Sequence, residues 1–371
     1  MKPADTQSYQ LLTTRYLRKQ ARQLSGQMSG LRESDDIEFV HRARVACRRL
    51  NAVLQMSRDC YPRKQYKMWR KEIRKLLKGL GGARDKDVQV DFLWRLLADL
   101  TDRALLPGIA RIVVGLENQR ERLQPTVVAA TERAESSGVI EDLLASSKAT
   151  LVELAKKSVR LTGRDLFSRL EQQIGENLDE FLDYEDSLDD PKNEEGHHEM
   201  RIAAKHFRYT LEICKPAYAG RLDNCHAAVK RIQTLLGDIH DCDVWVEHLA
   251  ATLGEEGKRL AECYGHNGHL GRLAAGIEYL RDERRATRAR WFEELVSYWR
   301  ELEQEACWEQ LRELVGCCSL RGNLPPSEDD DEEEEEEEAV GEEEIDAEEG
   351  AEYFDAEHVP PAMEATASQW M

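Results

Sequence analysis

The sequence predicts an all-α protein: two pseudo-symmetric, four-helix-type bundles built from an internal repeat of about 157 residues, followed by a disordered acidic tail. Three observations predict it. Apolar residues recur at helical spacing along most of the chain, with no alternating β pattern of useful length. HEMRIAAKHFRYTLEICKPAY, from His198, reproduces HRARVACRRLNAVLQMSRDCY, from His41, at an offset of 157, and LGDIHDCDV from Leu236 reproduces LGGARDKDV from Leu80 at an offset of 156. Charge is also segregated: residues 41–86 hold fifteen Lys/Arg against three acids, in a 371-residue chain of net charge −20.

In chain order, a periodic segment predicts a first helix over 7–28. The next spans 35–58, with Ser34, Asp35 and Asp36 supplying an N-cap and favourable charge at its start. At about 100° per residue, His41, Arg44 and Arg48 fall within about 60° of one another, while Ala43, Ala46, Cys47, Leu50, Val53 and Leu54 share the opposite side. A helix over 63–80 enters after Pro62, with Lys67, Arg70, Arg74 and Lys78 on one face and Trp69, Ile73, Leu76, Leu77 and Leu80 on the other. Gly79, Gly81 and Gly82 are expected to end it. Helices over 85–100, 108–134 and 138–158 complete the first half, residues 1–160. The second half, 161–320, repeats the order at 164–185, 196–215, 220–236, 241–256 and a broken 272–316. His198, Arg201 and Lys205 overlie His41, Arg44 and Arg48, and His226 and Lys230 overlie Arg70 and Arg74. If the bundles are related by a pseudo-twofold axis, the two basic helix pairs face each other across a channel.

Composition narrows the class. Hydrophobic content of 41% suffices for a core, and 33% charged residues make the chain soluble. Residues 325–371 contain 21 acids and no Lys or Arg; removing those from the 72 leaves 51 acids against 52 Lys/Arg, so the net charge mostly describes the tail. The tail region, 321–371, is expected to be disordered because EDDDEEEEEEE self-repels and cannot bury apolar surface. No segment approaches the ~18 apolar residues that span a bilayer, and MKPADTQSYQ lacks a signal peptide's apolar core. Nine cysteines, several on apolar helix faces, fit reduced buried thiols and a cytoplasmic location.

A solvated helix face would interleave both signs, because like charges at i,i+4 oppose the helix. Here Arg44/Arg48, Lys67/Lys71, Arg70/Arg74 and Arg74/Lys78 are all like pairs, which points to a polyanion site.

The paired motifs VHRARVACRRL and HEMRIAAKHFRY, each followed by LGxxxDxDV, resemble the CHAD family of conserved histidine α-helical domains over roughly residues 7–316. The resemblance implies a helical fold around a central basic cavity that binds inorganic polyphosphate, and association with polyphosphate granules. It carries over His41, Arg44, Arg48 and Arg49 with Arg74, and His198, Arg201, Lys205 and Arg208 with Lys230. The second half departs from the pattern: His206 stands at the position of Arg49 and Thr234 at that of Lys78, so weaker phosphate binding is expected there. Many relatives carry an enzyme domain marked by ExExK; this chain lacks the motif, which makes a stand-alone binding module, not an enzyme, the expectation.

Arginine suits phosphate oxygens through its permanently charged, bidentate fork, and lysine acts as a point charge. His41 and His198, facing cations, are expected to take up protons as phosphate arrives, so that affinity rises as pH falls. Asp238, His240, Asp241 and Asp243 are rich in potential metal ligands, but Asp85/Asp241 and Asp87/Asp243 stand where helices are expected to begin, and N-terminal capping accounts for them without metal or cofactor. GLGG at 79–82 lacks the Lys-Ser/Thr of a P-loop. The rivals are an RNA- or DNA-backbone binder, disfavoured by few stacking aromatics, and a polyphosphate hydrolase, disfavoured by the lack of a general base. The acidic run at 328–349 is expected to screen the basic channel as a tethered polyanion.

Overall fold

The computed structural model describes residues 7–34 and 36–324, which form ten α-helices joined by short turns. They are α1 (Gln7–Glu33), α2 (Ile37–Met56), α3 (Arg63–Asp99), α4 (Leu106–Ser136), α5 (Val139–Lys156), α6 (Arg164–Leu182), α7 (Glu194–Cys214), α8 (Asp223–Tyr264), α9 (Leu270–Gln304) and α10 (Cys307–Arg321). The all-α class is correct. The tail, with its expected contact to the basic channel, lies outside the described residues, as does Asp35. All described residues fall in one compact unit, and the expected boundary near 160 lies between α5 and α6. Among the described residues no helix is long and apolar enough to cross a membrane.

Two of the joints expected between helices are absent. Gly79, Gly81 and Gly82 do not end a helix: α3 runs through them to Asp99, and α8 likewise runs unbroken past Gly237. Each mid-helix glycine costs about 1 kcal/mol relative to alanine. The first two permit close approach instead. A Cβ at Gly79 would lie 2.4 Å from that of Ala130 on α4, and one at Gly81 would lie 3.0 Å from the Arg44 guanidinium on α2. Asp85 and Asp241 are therefore interior helix residues, not N-caps. The α2 cap does form, with Asp36 accepting a hydrogen bond from the Glu38 amide.

The apolar faces close into three cores. In the first bundle α1 packs on α2 and α5, and α3 on α2 and α4, around Leu24, Leu54, Trp69, Ile73 and Leu143. In the second, α6 packs on α7 and α10, and α8 on α7 and α9, around Phe167, Phe181, Phe207, Ile232 and Trp308. The third belongs to neither: Leu93, Ile109, Ile112 and Leu116 from α3 and α4 meet Trp245, Leu249, Ile277 and Leu280 from α8 and α9. Contacts between the two groups of helices run from α1 to α6, from α2 to α7 and from α4 to α9.

The α4–α9 crossing is reciprocal in detail. A Cβ on Gly108 would fall 2.2 Å from the Leu273 carbonyl oxygen, and one on Gly276 would fall 2.1 Å from that of Leu105. Only glycine lets these two backbones approach so closely. Gly175 in α6 is the opposite case: a Cβ there meets nothing within 4 Å. Gly175→Ala is expected to raise stability by about 0.5–1 kcal/mol in urea unfolding, because it removes backbone entropy without a clash.

Candidate functional site

The site is built where α2 meets α7, each backed by the long helix that follows it. On α2, the Arg44 guanidinium lies over Gly81 of α3 and pairs with Asp85, one turn further on, at 3.7 Å. Arg48 lies one turn further along α2, on the same face as Arg44. Arg74 and Lys78 are exposed and Arg70 is half-buried; none of the three makes an ion pair with a described residue. His41 is half-buried at the outer end of the same stripe.

On α7 the His198 ring packs 4.8 Å from that of His240 on α8. His198 Nδ1 and Arg201 Nε are buried with no hydrogen-bond partner among the described residues. Beside them, a Cβ on Gly237, which overlies Gly81 in sequence, would meet nothing within 4 Å. His226 is half-buried and Lys230 exposed on α8.

The electrostatics show that the halves converge. Burial, then Arg48 from α2 and Arg201 from α7, push the Lys205 ammonium down to about 8. Three cations from both halves thus crowd one another, and their mutual repulsion favours any anion that can enter. Burial, then Arg201 and His198, drive the His240 imidazole down to about 4, so it is neutral near pH 7. Asp241 is open to solvent yet densely surrounded by protein. That surrounding pushes its carboxyl up to about 6, with Arg201 opposing and Asp85 adding to the rise. Asp85, which pairs with Arg44, corresponds in the repeated sequence segment to Asp241, and its charge adds to the rise at Asp241.

Two of the expected site residues lie inside the protein instead of on this wall. Arg49 is buried and pairs with Glu212 of α7 at 2.9 Å, where Glu212 also accepts a hydrogen bond from the Tyr16 hydroxyl at 2.8 Å. Arg208 is buried with its guanidinium 4.8 Å from the Tyr209 ring centroid. Arg49 locks α2 to α7 and so holds the wall in register. Asp87 and Asp243 are likewise committed, pairing at 2.5 Å with Arg120 of α4 and Arg288 of α9. Sequence reasoning missed Asp85, Asp241 and His240 as members of the wall. The signal was there: Asp85 stands four residues after Gly81, on the same face once the helix is continuous.

Among the described residues no group of three or more His, Cys, Asp or Glu is arranged to hold a metal ion, and all nine cysteines are unpaired. Two other concavities lie away from the basic cluster, one along α9 beside Leu188, Phe292 and Arg300 and one between α8 and the start of α9.

A family model described as the CHAD domain matches residues 15–250. Two curated proteins of Mycobacterium tuberculosis, from strains CDC 1551 / Oshkosh and H37Rv and both uncharacterised, are each 28% identical over 247 residues. The alignments cover 60% of this chain and 43% of theirs, so the chain spans less than half the length of these relatives. The crystal structure of the CHAD domain from the plant Ricinus communis is similar with a TM-score of 0.49 and 22% identity, over 76% of this chain and 91% of that one.

Proposed function

The chain belongs to the CHAD family, and from that premise we propose that it binds inorganic polyphosphate between the basic faces of its two halves, as a binding module and not an enzyme. The observation that carries this reading is the meeting of α2 with α7, which brings Arg48 to Arg201 and Lys205 and, with burial, pushes the Lys205 ammonium down to about 8. Such a cluster is costly without an anion, and a chain with one charge per phosphate supplies several at the right spacing. Arg44, Arg48 and Arg201 would take phosphate oxygens through their forks, and Lys205 would regain its proton affinity as the chain arrives. Arg70, Arg74, Lys78, His226 and Lys230 would extend the track along α3 and α8, with His41 and His198 at its edges. Arg49 and Arg208 would act from behind by holding the helices. Association with polyphosphate granules in the cytoplasm follows from this reading.

Titration of fluorescent polyphosphate at several salt concentrations tests it. The expected result is binding that weakens steeply with salt, since each phosphate neutralised releases counterions. Unlabelled polyphosphate should displace RNA far better than RNA displaces polyphosphate; equal competition would replace the reading with a general nucleic-acid backbone binder. Phosphate release in the presence of Mg²⁺ or Mn²⁺ would move it to a hydrolase.

A further inference from the structure

The first helix carries a cationic face that the groove between α2 and α7 does not use. From Gln7 to Arg32, α1 contains no acid, and Arg15, Arg18, Lys19 and Arg22 fall within about 100° of one another around it. Arg15, Lys19 and Arg22 are exposed and Arg18 is half-buried. The neighbours along this stripe, such as Arg15/Lys19 and Arg18/Arg22 at i,i+4, are like charges that oppose the helix. The opposite side of α1 buries Leu17, Ala21 and Leu24 in the core shared with Cys47 and Leu50 of α2. That core separates the stripe from Arg44 and Arg48, so α1 presents its cations away from the groove. We propose that the outer face of α1 is a second site for inorganic polyphosphate, and that the protein thereby bridges separate chains. This rests on the phosphate-binding reading of the groove and adds to it a second, independent contact.

The stripe is anchored as well as charged. Arg18 is fixed against α5, its guanidinium donating to the Leu144 carbonyl at 2.7 Å and towards the Ser147 hydroxyl at 3.4 Å. Arg15 and Arg22 make no hydrogen bond or ion pair with a described residue. The acids of neighbouring α5 leave the stripe uncompensated. Asp142 accepts from Gln65 and Trp69 of α3, Glu153 pairs with Lys156 at 2.8 Å, and Glu141 forms no ion pair with either arginine. Nor does packing demand a basic helix: α6, which opens the second half, carries five acids against two arginines along its 19 residues. The chemistry of the face selects its occupant. Between Arg15 and Ser29 the exposed residues are Arg15, Lys19, Arg22, Ser25, Gly26 and Ser29, and the Tyr16 hydroxyl is turned to Glu212. With no exposed ring to stack a base and no apolar side chain to enter a bilayer, the face suits a chain of bare phosphates over RNA or lipid. Arg15 and Arg22 stand about 10 Å apart along the axis, room for a short run of consecutive phosphates.

Calorimetric titration of the full-length protein with short polyphosphate counts the sites, and light scattering with long-chain polyphosphate reads the bridging. Wild type is expected to bind a second short chain beyond the one in the groove. With long chains it should form large assemblies that peak at an intermediate ratio and dissolve in excess polyphosphate or at high salt, as cross-linking through two salt-sensitive contacts requires. Arg15→Glu/Arg22→Glu should lose the second chain and the assemblies. Its groove affinity should stay within about threefold of wild type, because packed helices stand about 8–10 Å apart, the two faces point in different directions and salt screens beyond about 8 Å. The change relieves like-charge pairs, so its melting curve should match or exceed that of wild type; Arg15→Gln/Arg22→Gln, which only removes charge, gives the same reading if it does not. Arg44→Glu/Arg201→Glu should keep the second chain and lose the groove one, again without assemblies. A single bound chain that depends on Arg44 and Arg201, or assemblies that persist in both α1 variants, overturns the proposal and leaves the groove reading intact. No bound chain at all overturns both. A second chain that RNA displaces as readily as polyphosphate does overturns the choice of ligand and makes α1 a general phosphate-backbone site.

Discussion

Arg44→Glu/Arg201→Glu is expected to lose about a hundredfold or more in polyphosphate affinity at low salt. Each guanidinium stands for a charge-assisted hydrogen bond of about 1.5–3 kcal/mol, and reversal adds repulsion, so the sum passes the roughly 2.8 kcal/mol that a hundredfold change requires. The carboxylate introduced on α2 would also face Asp85, which ordinarily pairs with Arg44 at 3.7 Å. The milder Arg44→Gln/Arg201→Gln pair therefore belongs beside it; each Gln keeps a neutral donor worth about 1 kcal/mol less, so a loss of about thirtyfold is expected there. Both are measured by fluorescent polyphosphate titration on protein whose melting curve matches wild type. Binding that survives both changes would mean a diffuse basic surface with no focus at the meeting of α2 and α7.

Gly276→Val should destabilise the protein by about 3 kcal/mol or more, at the upper end of overpacking costs. Its Cβ would stand 2.1 Å from the Leu105 carbonyl oxygen, a backbone atom that no rotamer change can move. Relieving the clash requires separating α4 from α9, which opens the third core around Ile109, Trp245, Ile277 and Leu280. Gly108→Val should behave alike because the crossing is reciprocal. Gly254→Val on α8 is the control, since a Cβ there meets nothing within 4 Å; it carries only the modest propensity difference of valine against glycine. Equal urea midpoints for Gly276→Val and Gly254→Val would show that the crossing is slack.

Much of the fold was legible because helical periodicity is a local property. The apolar faces containing Trp69 and Phe207, the break between α9 and α10, and the Asp36 cap were all readable from neighbours a few residues away. Gly79–Gly82 were not, because a glycine cluster is equally consistent with a helix C-cap and with tight helix packing. The choice depends on Ala130 and Arg44, which are distant in sequence. Arg49 illustrates the same limit within the site. It stands next to Arg48 in a basic run, yet a 100° turn carries it inward to Glu212, over 160 residues away, and nothing local announces that partner. The corresponding positions in α4 and α9 escaped notice for a simpler reason. Gly108 and Gly276, like Arg120 and Arg288, are offset by 168 and not 157, since α8 is longer than α3 and Gly276 lies deeper in α9 than Gly108 does in α4.

The shared third core also sets a timetable. Ile109 and Ile112 emerge from the ribosome early, but their partners Ile277 and Leu280 follow about 170 residues later, which at about 5–20 residues per second is a wait of roughly 10–30 s. The first bundle can close around Trp69 in that interval. The outer arm of α3 and α4 cannot, and its apolar surface stays uncovered until α8 and then α9 arrive. Separating the halves by truncation would make that wait permanent, leaving each fragment with an aggregation-prone face.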